Sequence, residues 1–468
     1  MSTQLDLGDI QGTILRGYRV DFARHFVLEV VDEAAAQAFL GTLVDGSPGT
    51  PQITTAARWT VKPESFLNIG LTAAGLVALG QPVDGFPGTF QTGATYAPTA
   101  EAVGDSGDSG PQAWLDAFRP DSPVHVLLSL WAHRDIAVLE HVSEILRTGF
   151  AAGMRELAAL DANALPDGHV HFGYADGISQ PTIDGAPPTK RPRPDCQPVA
   201  PTGEFLLGYP NQNKGAIYSV TPEPLSKNSS FAAFRVLEQD VVGFEDWLTS
   251  ASANLRIDPE LLAAKVCGRW RTGVPLVLSP DTGTPRPPLP RDQINAFDYV
   301  GADQALDDKL GLKCPIGAHM RRANPRGEKV ISGGEHLHRI VRRAMPYGPA
   351  YDPAQPVDVQ RGLVGYFINA DIANQFEFLM AEWINGNSFV VSDPGPPPDY
   401  PNPVFNISGA DVMLGANDPS SSSFILCSPP DGSAPTTSGF GRFITTRGGA
   451  YCYLPSITAL RYISAGGG

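Results

Sequence analysis

The sequence predicts an α+β protein of two ferredoxin-like domains, each an antiparallel sheet flanked by helices. At 468 residues the chain is too long for one ordinary hydrophobic core. Segments typical of strands alternate with segments typical of helices, and the second half repeats the order of the first in outline. Since no glycine-rich phosphate loop follows the strands, ferredoxin-like domains are favoured over a dinucleotide-binding fold. We therefore expect domains at residues 1–185 and 225–468, joined by a proline- and glycine-rich junction at 186–224.

In the first half, apolar patterning and capping residues predict the order of elements. Asp32 is expected to cap the first long helix, because its side chain can accept the unpaired N–H groups of a first turn. Residues 80–110 are rich in Gly, Pro, Asp and Ser and are expected to hold little regular structure. The predicted elements are strands at 24–31, 66–71 and 124–131 and helices at 33–44, 72–79 and 135–152.

The second half begins in the same way, with a strand followed by a helix that has an acidic start. Apolar residues on one face of the segment 372–384 predict an amphipathic helix. Gly448 and Gly449 predict the turn of a hairpin within residues 445–453. The predicted elements are strands at 230–237 and 362–369, helices at 241–252, 259–270 and 372–384, and a proline-rich loop at 275–291.

The composition excludes several classes of protein. A net charge of −15, from 34 basic and 49 acidic side chains, disagrees with nucleic-acid binding, which needs clustered positive charge. No window holds the roughly 18 consecutive apolar residues of a membrane helix. The first residues, MSTQLDLGDIQG, lack the features of a secretion signal, so a cytoplasmic location is expected. Five cysteines without a CxxC spacing predict free thiols, with neither structural zinc nor a disulfide framework.

Residues 169–181, HVHFGYADGISQP, form the first candidate functional segment. The segment follows a predicted helix and ends at a proline, which indicates a tight irregular connection. Gly173 and Gly177 leave room for a group to approach Asp176, whose partly apolar neighbours can perturb the pKa of its carboxyl group. For such a segment alone, an aspartate that only caps a turn is the commoner interpretation.

Three segments together resemble the dye-decolorizing haem peroxidases. Residues 173–177, GYADG, fit the family's GxxDG motif, residues 314–326, CPIGAHMRRANPR, resemble its proximal-histidine segment, and residues 339–348, RIVRRAMPYG, resemble its distal-arginine segment. They occur in the family's order, and weaker similarity extends from residues 7–18 to residues 442–463. The resemblance implies a two-domain fold with haem b in the C-terminal domain. No CxxCH motif is present, so the haem would be bound non-covalently.

The resemblance selects one of nine histidines as the ligand of the haem iron. Pattern alone distinguishes none of them, and a surface or core role is commoner for a histidine than metal ligation. His319 lies in the segment that resembles the proximal one, so it is the expected axial ligand. Its other ring nitrogen needs an acceptor. Residues 409–415, GADVMLG, resemble the turn that supplies this carboxylate, here Asp411, with a simple turn residue as the alternative.

On the side where peroxide binds, the resemblance implies an acid–base carboxylate and a neighbouring cation. Asp176 would move a proton between the two oxygens of hydrogen peroxide, and Arg342 would supply the positive charge. Arg339 and Arg343 are close alternatives to Arg342, and a cluster of basic residues is ordinarily a solvated face.

The predicted strand at 362–369 departs from the family pattern. Leu363 is expected over the distal face of the haem, as in relatives. Gly365 stands where relatives often carry a phenylalanine, which predicts a more open distal cavity with ordered water near Asp176. The alternative is an alignment shift of one residue, which would also reverse the face of the strand.

Two further sets of residues follow from the resemblance. Haem propionates need guanidinium partners, and the expected ones are Arg326, with Arg321 and Arg322 as possible helpers, and Arg447. Donors too large for the haem pocket would be oxidised at the surface.

For that surface oxidation the aromatic candidates are Tyr347 and Trp383. Both have the hydrophobic core as an alternative location, and this is the commoner one for Trp383 because it lies on an apolar stripe.

The resemblance implies a peroxidase that reduces hydrogen peroxide and oxidises bulky aromatic donors such as dyes and phenolics through a ferryl-porphyrin radical. One alternative is another haem role on the same fold, either haem deferrochelation or peroxide defence as the cargo of a protein capsule. A homodimer is the other assembly considered. A third interpretation is a haem-free binding protein, against which the joint presence of Asp176, His319 and a pair of arginines argues.

Overall fold

The computed structural model describes most of the chain, including every candidate site residue. Cys196, one of the expected free thiols, lies outside the described part. The described residues are 4–46, 49–187, 197–291, 293–300, 307–328, 330, 334, 336–357, 359–387, 391–392, 404–405, 409–427 and 435–467.

Strands and helices alternate along both halves of the chain. The strands are β1 Phe22–Val30, β2 Ser65–Leu71, β3 Val126–Ala132, β4 Met154–Asn163, β5 Ser230–Gln239, β6 Val341–Tyr347, β7 Gly362–Asn369, β8 Val391–Ser392, β9 Val404–Phe405, β10 Ser423–Ile425, β11 Thr436–Ser438 and β12 Ile444–Leu454. The α-helices are α1 Gly12–Leu15, α2 Glu33–Asp45, α3 Ala73–Ala78, α4 Gly88–Thr92, α5 Ala97–Ala102, α6 Ile136–Phe150, α7 Val241–Leu255, α8 Pro259–Cys267, α9 His319–Ala323 and α10 Ile457–Ser464. Single 3₁₀ turns lie at Gly107–Ser109, Pro111–Ala113, Asp116–Phe118, Pro166–Gly168, Thr202–Glu204 and Glu223–Leu225.

One antiparallel sheet of eight strands runs through both halves, in the order β4-β1-β3-β2-β12-β5-β7-β6. In each half the strands stand in the order fourth, first, third, second, with helices between them in sequence, which is the arrangement of a ferredoxin-like unit. The two units join where β12 pairs with β2, and the end strands β4 and β6 also contact each other. The predicted fold class is confirmed, whereas the domain boundaries stay a prediction.

The long helices begin at aspartate caps, of which Asp32 was the one expected from the sequence. Asp32 accepts the backbone N–H of Ala35, and aspartates begin α6, α7 and α8 in the same way. Helix α8 ends before the predicted limit of residue 270, because Gly268 takes a φ of 94° and closes it as a C-cap.

Residues 373–384 form the predicted amphipathic helix, but with wider turns than an α-helix. Its π-helical turns are Ala373–Glu377 and Leu379–Ile384. The N–H of Glu377 donates to the carbonyl of Ile372, and that of Asn385 to the carbonyl of Met380, each spanning five residues. We call this segment the wide helix; π-helical turns are frequent at functional sites.

The hairpin predicted at 445–453 is wrong, because these residues lie within the single strand β12. The pairing of β12 with β5 shifts register between Thr446 and Gly448. The two glycines serve close packing instead of a turn. A Cβ at Gly448 would lie 2.6 Å from the ring of Phe118, and one at Gly449 would lie 3.0 Å from Nη1 of Arg235.

Several elements were missed by the sequence analysis or contradict it. Residues 80–110 contain α4 and α5, so the expectation of little regular structure is wrong in part. Strand β4 is rich in alanine and charge, and its pairing with β1 outweighs its low strand propensity. Strand β6 carries adjacent arginines and a proline, which the edge of a sheet tolerates.

The hydrophobic core extends across both halves. One face of β1 and β3 packs against one face of β5 and β7, where the ring of His25 meets that of Phe234. The opposite faces of these strands pack against helices, as Phe26 of β1 does against Phe150 of α6. Cys267, Cys314 and Cys452 are buried within the fold and form no disulfide. Among the described residues, no helix combines the length and the apolar character needed to cross a bilayer.

Candidate active site

A buried carboxylate orients one imidazole at the start of α9. Nδ1 of His319 lies 3.0 Å from Oδ2 of Asp411, whose side chain is inaccessible to solvent. The other carboxylate oxygen, Oδ1, accepts the backbone N–H groups of Met413 and Leu414 at 2.9 and 2.8 Å. Since a carboxylate accepts from Nδ1–H, the remaining nitrogen of His319, Nε2, keeps the lone pair that a metal would bind.

Arg322 holds the histidine helix and the aspartate turn together. Its buried guanidinium donates to the carbonyls of Trp383 and Gly386 at 2.6 and 2.8 Å, and also to the carbonyl of Gly409. These acceptors lie at the end of the wide helix and directly before Asp411. Arg322 is three residues after His319 on the same short helix, so its bonds fix the distance between imidazole and carboxylate.

The carboxyl group of Asp411 is ionised in spite of its burial. Burial by itself would raise its pKa, but His319, Arg322 and the N–H of Leu414 outweigh this effect and hold the pKa below its ordinary value. Burial lowers the pKa of Arg322 to about 10, against the opposing effect of Asp411, so this guanidinium remains charged at neutral pH.

Asp176 lies in a loop that is held by backbone hydrogen bonds and by the buried side chains of His171, Phe172 and Tyr174. Gly173 and Gly177 adopt φ values of 85° and 66°, which glycine tolerates and other residues rarely adopt. The N–H of Asp176 donates to the carbonyl of Gly168 at 2.9 Å. Its side chain is exposed, so the carboxylate is accessible to a small molecule.

Arg342 joins this loop to the start of β6. Its guanidinium donates to the carbonyl of Ser179, and its backbone N–H donates to the side-chain oxygen of Gln180 at 3.1 Å. The side chain is accessible to solvent but lies in a recess enclosed by protein, and this enclosure lowers the pKa of Arg342. The nearby charge of Asp176 opposes that shift, which places carboxylate and guanidinium within electrostatic reach.

The two alternative arginines have structural partners. Arg343 donates to the carbonyls of Thr13 and Ile14 at 2.7 and 3.4 Å and so anchors α1. Arg339 donates to the carbonyl of Pro198 and to other acceptors of the same loop region. The geometry therefore favours Arg342 among the three candidates.

On β7, the expectation for Gly365 is wrong in one respect. Its Cβ would lie 2.1 Å from the carbonyl oxygen of Arg343 on β6, and its φ is 153°, so a side chain has no room there. A phenylalanine at this position would break the pairing of β6 and β7 before it could fill a pocket. Leu363 and Phe367 lie on the same face of the strand by alternation, and Phe367 supplies an aromatic ring to that face.

That face of the sheet borders an internal cavity beside Asp411. Leu414, whose N–H binds Asp411, is one of its walls. The other walls are mostly apolar, as the faces of a porphyrin require, and two guanidinium groups lie among them. The cavity is lined by Val103, Gly104, Asp105, Arg235, Leu237, Phe367, Phe376, Met380, Leu414, Arg442, Ile444 and Thr446. The chemistry that suits a haem is the oriented imidazole of His319, which is not itself among the residues that line this cavity.

The expected propionate partners have other contacts. Arg326 is 2% exposed, donates to the carbonyls of Asn295 and Phe297 at 2.9 Å each, and stacks over the ring of Phe297. Arg447 pairs with Glu238 at 2.6 Å. This geometry argues against a propionate at Arg326, because binding there would require these carbonyl bonds to break.

The possible helpers of Arg326 are also engaged. Arg321 forms a buried ion pair with Asp308 and Glu328, and Arg322 binds the carbonyls described above. Both are fully buried, so their role in the described structure is to hold backbone segments in place.

Of the two candidate sites for surface oxidation, only Tyr347 reaches the surface. Tyr347 is partly buried, and burial together with the charge of Glu238 raises its pKa, against Arg447. Trp383 is 2% exposed and packs edge-on against His338 and Phe378. The prediction of Trp383 as a surface site is therefore wrong, because the apolar stripe of the wide helix faces inward.

Sequence reasoning missed one buried ion pair on the cavity wall. Arg235 donates to both carboxylate oxygens of Asp105 and to the hydroxyl of Thr446. Asp105 comes from the region expected to be irregular, and Arg235 is a single arginine in an apolar strand. An arginine in a strand that is otherwise apolar was the available signal, since such a residue needs a buried partner.

The chain resembles known proteins over nearly its whole length. No family model matches it. It is 30% identical over 501 residues to a dye-decolorizing peroxidase of Mycena epipterygia, covering 98% of this chain and 87% of that protein. It is 29% identical over 486 residues to the dye-decolorizing peroxidase msp1 of Mycetinis scorodonius, covering 99% of this chain and 88% of that protein.

Solved structures give the same relationship. A dye-decolorizing peroxidase in complex with 2,6-dimethoxyphenol superposes with a TM-score of 0.78 at 28% identity, covering 98% of this chain and 100% of that one. An ancestral D-type dye-decolorizing peroxidase superposes with a TM-score of 0.79 at 28% identity, covering 98% and 99%.

Proposed function

The chain belongs to the dye-decolorizing peroxidases, and we propose that it binds haem b through His319 and activates hydrogen peroxide with Asp176 and Arg342. It is a haem peroxidase that oxidises aromatic donors. The assignment of these residues is supported above all by the 3.0 Å contact between Nδ1 of His319 and the buried carboxylate of Asp411.

The chain's own residues divide the work. When bound, the haem would supply the redox chemistry that accepts two oxidising equivalents from hydrogen peroxide. His319 binds through Nε2, and Asp411 keeps the proton on Nδ1 and makes the imidazole a stronger donor. The carboxylate of Asp176 accepts a proton from one peroxide oxygen and returns it to the other, which then departs as water. Arg342 stabilises negative charge on the departing oxygen.

The absorption spectrum of the purified protein tests the haem assignment directly. We expect a Soret band after expression with adequate haem supply, or after titration of the apoprotein with haemin. Hydrogen peroxide should then change the spectrum in stopped-flow experiments, and 2,6-dimethoxyphenol should restore it. A protein that binds no haemin would contradict the proposal and favour the haem-free alternative.

Tyr347 is the proposed surface site for donors that cannot enter the pocket. Its ring is partly exposed, and Glu238 and Arg447 lie close to it. We expect Tyr347→Phe to lower turnover of a bulky anthraquinone dye more than turnover of a small phenol, because the small phenol can enter the pocket. The substitution removes only the phenolic O–H. Tyr96→Phe, which also changes an exposed tyrosine, is the control. Equal losses with both donors would contradict the role of Tyr347.

A cytoplasmic location and an assembly as a homodimer or as cargo of a capsule also remain proposals. The buried unpaired thiols of Cys267, Cys314 and Cys452 support a reducing compartment. Light scattering on the purified protein, and co-purification with a shell protein, test the two assemblies.

A further inference from the structure

A chain of hydrogen bonds lies inside the core where the two halves of the sheet face each other. The hydroxyl groups of Tyr366 and Ser129 are 2.7 Å apart, and Ser129 Oγ is 2.7 Å from Nδ1 of His25. The three residues come from β7, β3 and β1, and each is at most 2% exposed. The peroxide chemistry proposed above uses none of them.

The surroundings of His25 define the direction of these hydrogen bonds. Nε2 of His25 has no hydrogen-bond partner in the described structure, and the ring meets Trp131 and Phe234 edge-on at 5.8 and 5.3 Å. An N–H among aromatic rings is tolerated better than a bare lone pair, so we assign the proton to Nε2. With the proton on Nε2, Nδ1 accepts from Ser129, and Ser129 accepts from Tyr366.

Aromatic rings continue from this group to the protein surface. Trp131 lies 5.5 Å from Tyr18, and Tyr18 lies 6.4 Å from Trp59 and stacks on Phe66 at 4.2 Å. Trp131 and Tyr18 are buried, whereas Trp59 is partly exposed. Phe66 bridges the last gap, since it is also 5.5 Å from Trp59.

The other end of this series lies next to the candidate haem pocket. Tyr366 stands between Gly365 and Phe367 on β7, and Phe367 lines the cavity beside Asp411. Neighbours on a strand point to opposite faces, so Tyr366 is one residue of backbone away from the cavity wall. Gly365 adds no side chain between them.

We propose that Tyr366, Trp131 and Trp59 form a relay for oxidising equivalents, with Ser129 and His25 as the proton acceptors of Tyr366, and that aromatic donors are oxidised at Trp59. This inference rests on the proposed peroxidase function, which supplies the one-electron oxidant from hydrogen peroxide. Trp59 is then an oxidation site separate from Tyr347.

Each step of the relay conserves electrons and protons. Tyr366 gives one electron to the oxidised cofactor, its hydroxyl proton goes to Ser129 Oγ, and the Ser129 proton goes to Nδ1 of His25. Trp131 then gives an electron to the Tyr366 radical, and both protons return. Trp59 reduces Trp131 across Tyr18 and Phe66, and loses its indole proton to water. An aromatic donor returns one electron and one proton to Trp59.

Burial makes the proton acceptors necessary. Burial raises the pKa of Tyr366 far above neutrality, so the phenol cannot ionise first, and oxidation has to be coupled to proton transfer. Burial lowers the pKa of His25 to about 4, against the distant charge of Asp161, so the imidazole is neutral and can accept a proton. The guanidinium of Arg16, 4.6 Å from the ring of Trp59, disfavours a cation there and favours loss of the indole proton.

The test is electron paramagnetic resonance of the holoenzyme frozen within a second of adding hydrogen peroxide. We expect the signal of a protein radical. Incorporation of ring-deuterated tyrosine should narrow one part of this signal, and incorporation of ring-deuterated tryptophan should narrow another part. Tyr366→Phe should remove the tyrosine part and reduce the tryptophan part, and Trp59→Phe should remove the surface tryptophan part. Ser129→Ala keeps Tyr366 but removes the proton acceptor, so it should also suppress the tyrosine part.

Turnover of a bulky dye complements the spectra. Trp59→Phe should lower it, while the Soret band and the rate of the first reaction with peroxide stay as in the wild type. Trp247→Phe is the matched control, because Trp247 is also partly exposed but packs only against Phe244, Phe440 and Phe443 among the rings described. Unchanged radicals and dye turnover in Tyr366→Phe and Trp59→Phe would overturn the relay. A wild type without haem or without a reaction with peroxide would instead overturn the proposed function.

Discussion

The two sides of the candidate haem site are built in opposite ways. On the His319 side, the functional side chains are fixed by buried hydrogen bonds to Asp411 and, through Arg322, to four backbone carbonyls. On the Asp176 side, the carboxylate itself is exposed, although buried neighbours such as Tyr174 hold its loop. The difference corresponds to two tasks. A metal ligand has to stay in one place, whereas an acid–base group has to leave space for its substrate.

The largest expected effect is loss of haem when the imidazole is removed. We expect His319→Ala to lose the wild-type Soret band and the peroxidase activity, because its imidazole is the proposed ligand of the iron. His141→Ala, at an exposed histidine, should change neither property. A wild-type spectrum with full turnover in His319→Ala would show that His319 is not the ligand of the iron.

On the open side, changes should slow chemistry without loss of haem. Asp176→Asn and Arg342→Leu should each lower the rate of the first reaction with peroxide by about 10²–10⁴-fold, the usual contribution of acid–base help. Stopped-flow spectroscopy at a fixed haem content measures this rate. Asp121→Asn, an exposed aspartate elsewhere, serves as the control. If both variants react at the wild-type rate, Asp176 and Arg342 are not the peroxide-activating pair.

The loss of unfolding free energy on substitution should be larger for Arg322, on the His319 side, than for Arg342, on the Asp176 side. Arg322→Met leaves several buried carbonyls without a donor and removes a buried positive charge near Asp411, so the free energy of unfolding of the apoprotein should fall by about 3–5 kcal/mol. Arg342→Met removes an accessible side chain, and a loss within about 1 kcal/mol is expected. Urea unfolding followed by circular dichroism measures both values. Similar losses in the two variants would mean that the two sides are equally fixed.

The smallest expected effect is a pH dependence of stability from Asp411. Its pKa is lower in the folded state than in the unfolded chain, so its contribution is complete above the unfolded value of about 3.9 and is lost as the pH falls through the folded pKa. The difference in unfolding free energy between wild-type apoprotein and Asp411→Asn should therefore be larger at pH 7 than at pH 3. A difference that does not change with pH would mean that Asp411 is not ionised in the folded protein.

The sequence predicts the regular part of this molecule better than its irregular part. Capping aspartates such as Asp32 and Asp135 act locally, so the starts of α2 and α6 follow from a few residues. Strand β4 depends on β1, more than a hundred residues away in sequence, and its own composition does not reveal it. Gly448 was misread because a glycine for close packing and a glycine for a turn look the same in sequence.

The same limit applies to the site. The segments around Asp176, His319 and Arg342 could be located from their motifs. The partners of Arg326 could not, because the acceptors are backbone carbonyls, and these have no sequence signature. For Trp383 the sequence pattern was the better guide. The stripe of apolar residues correctly indicated burial, whereas the assignment of Trp383 as a surface oxidation site did not.

The position of β12 has a consequence for synthesis of the chain on the ribosome. This strand is the last in sequence, yet it stands in the middle of the sheet, where it completes the second unit by pairing with β5 and joins the first by pairing with β2. Until residues 444–454 have emerged, β2 and β5 each present an unpaired edge to other nascent chains, and such edges promote aggregation. A translational pause or a premature stop late in the message should therefore cost more folded protein than the small number of missing residues suggests.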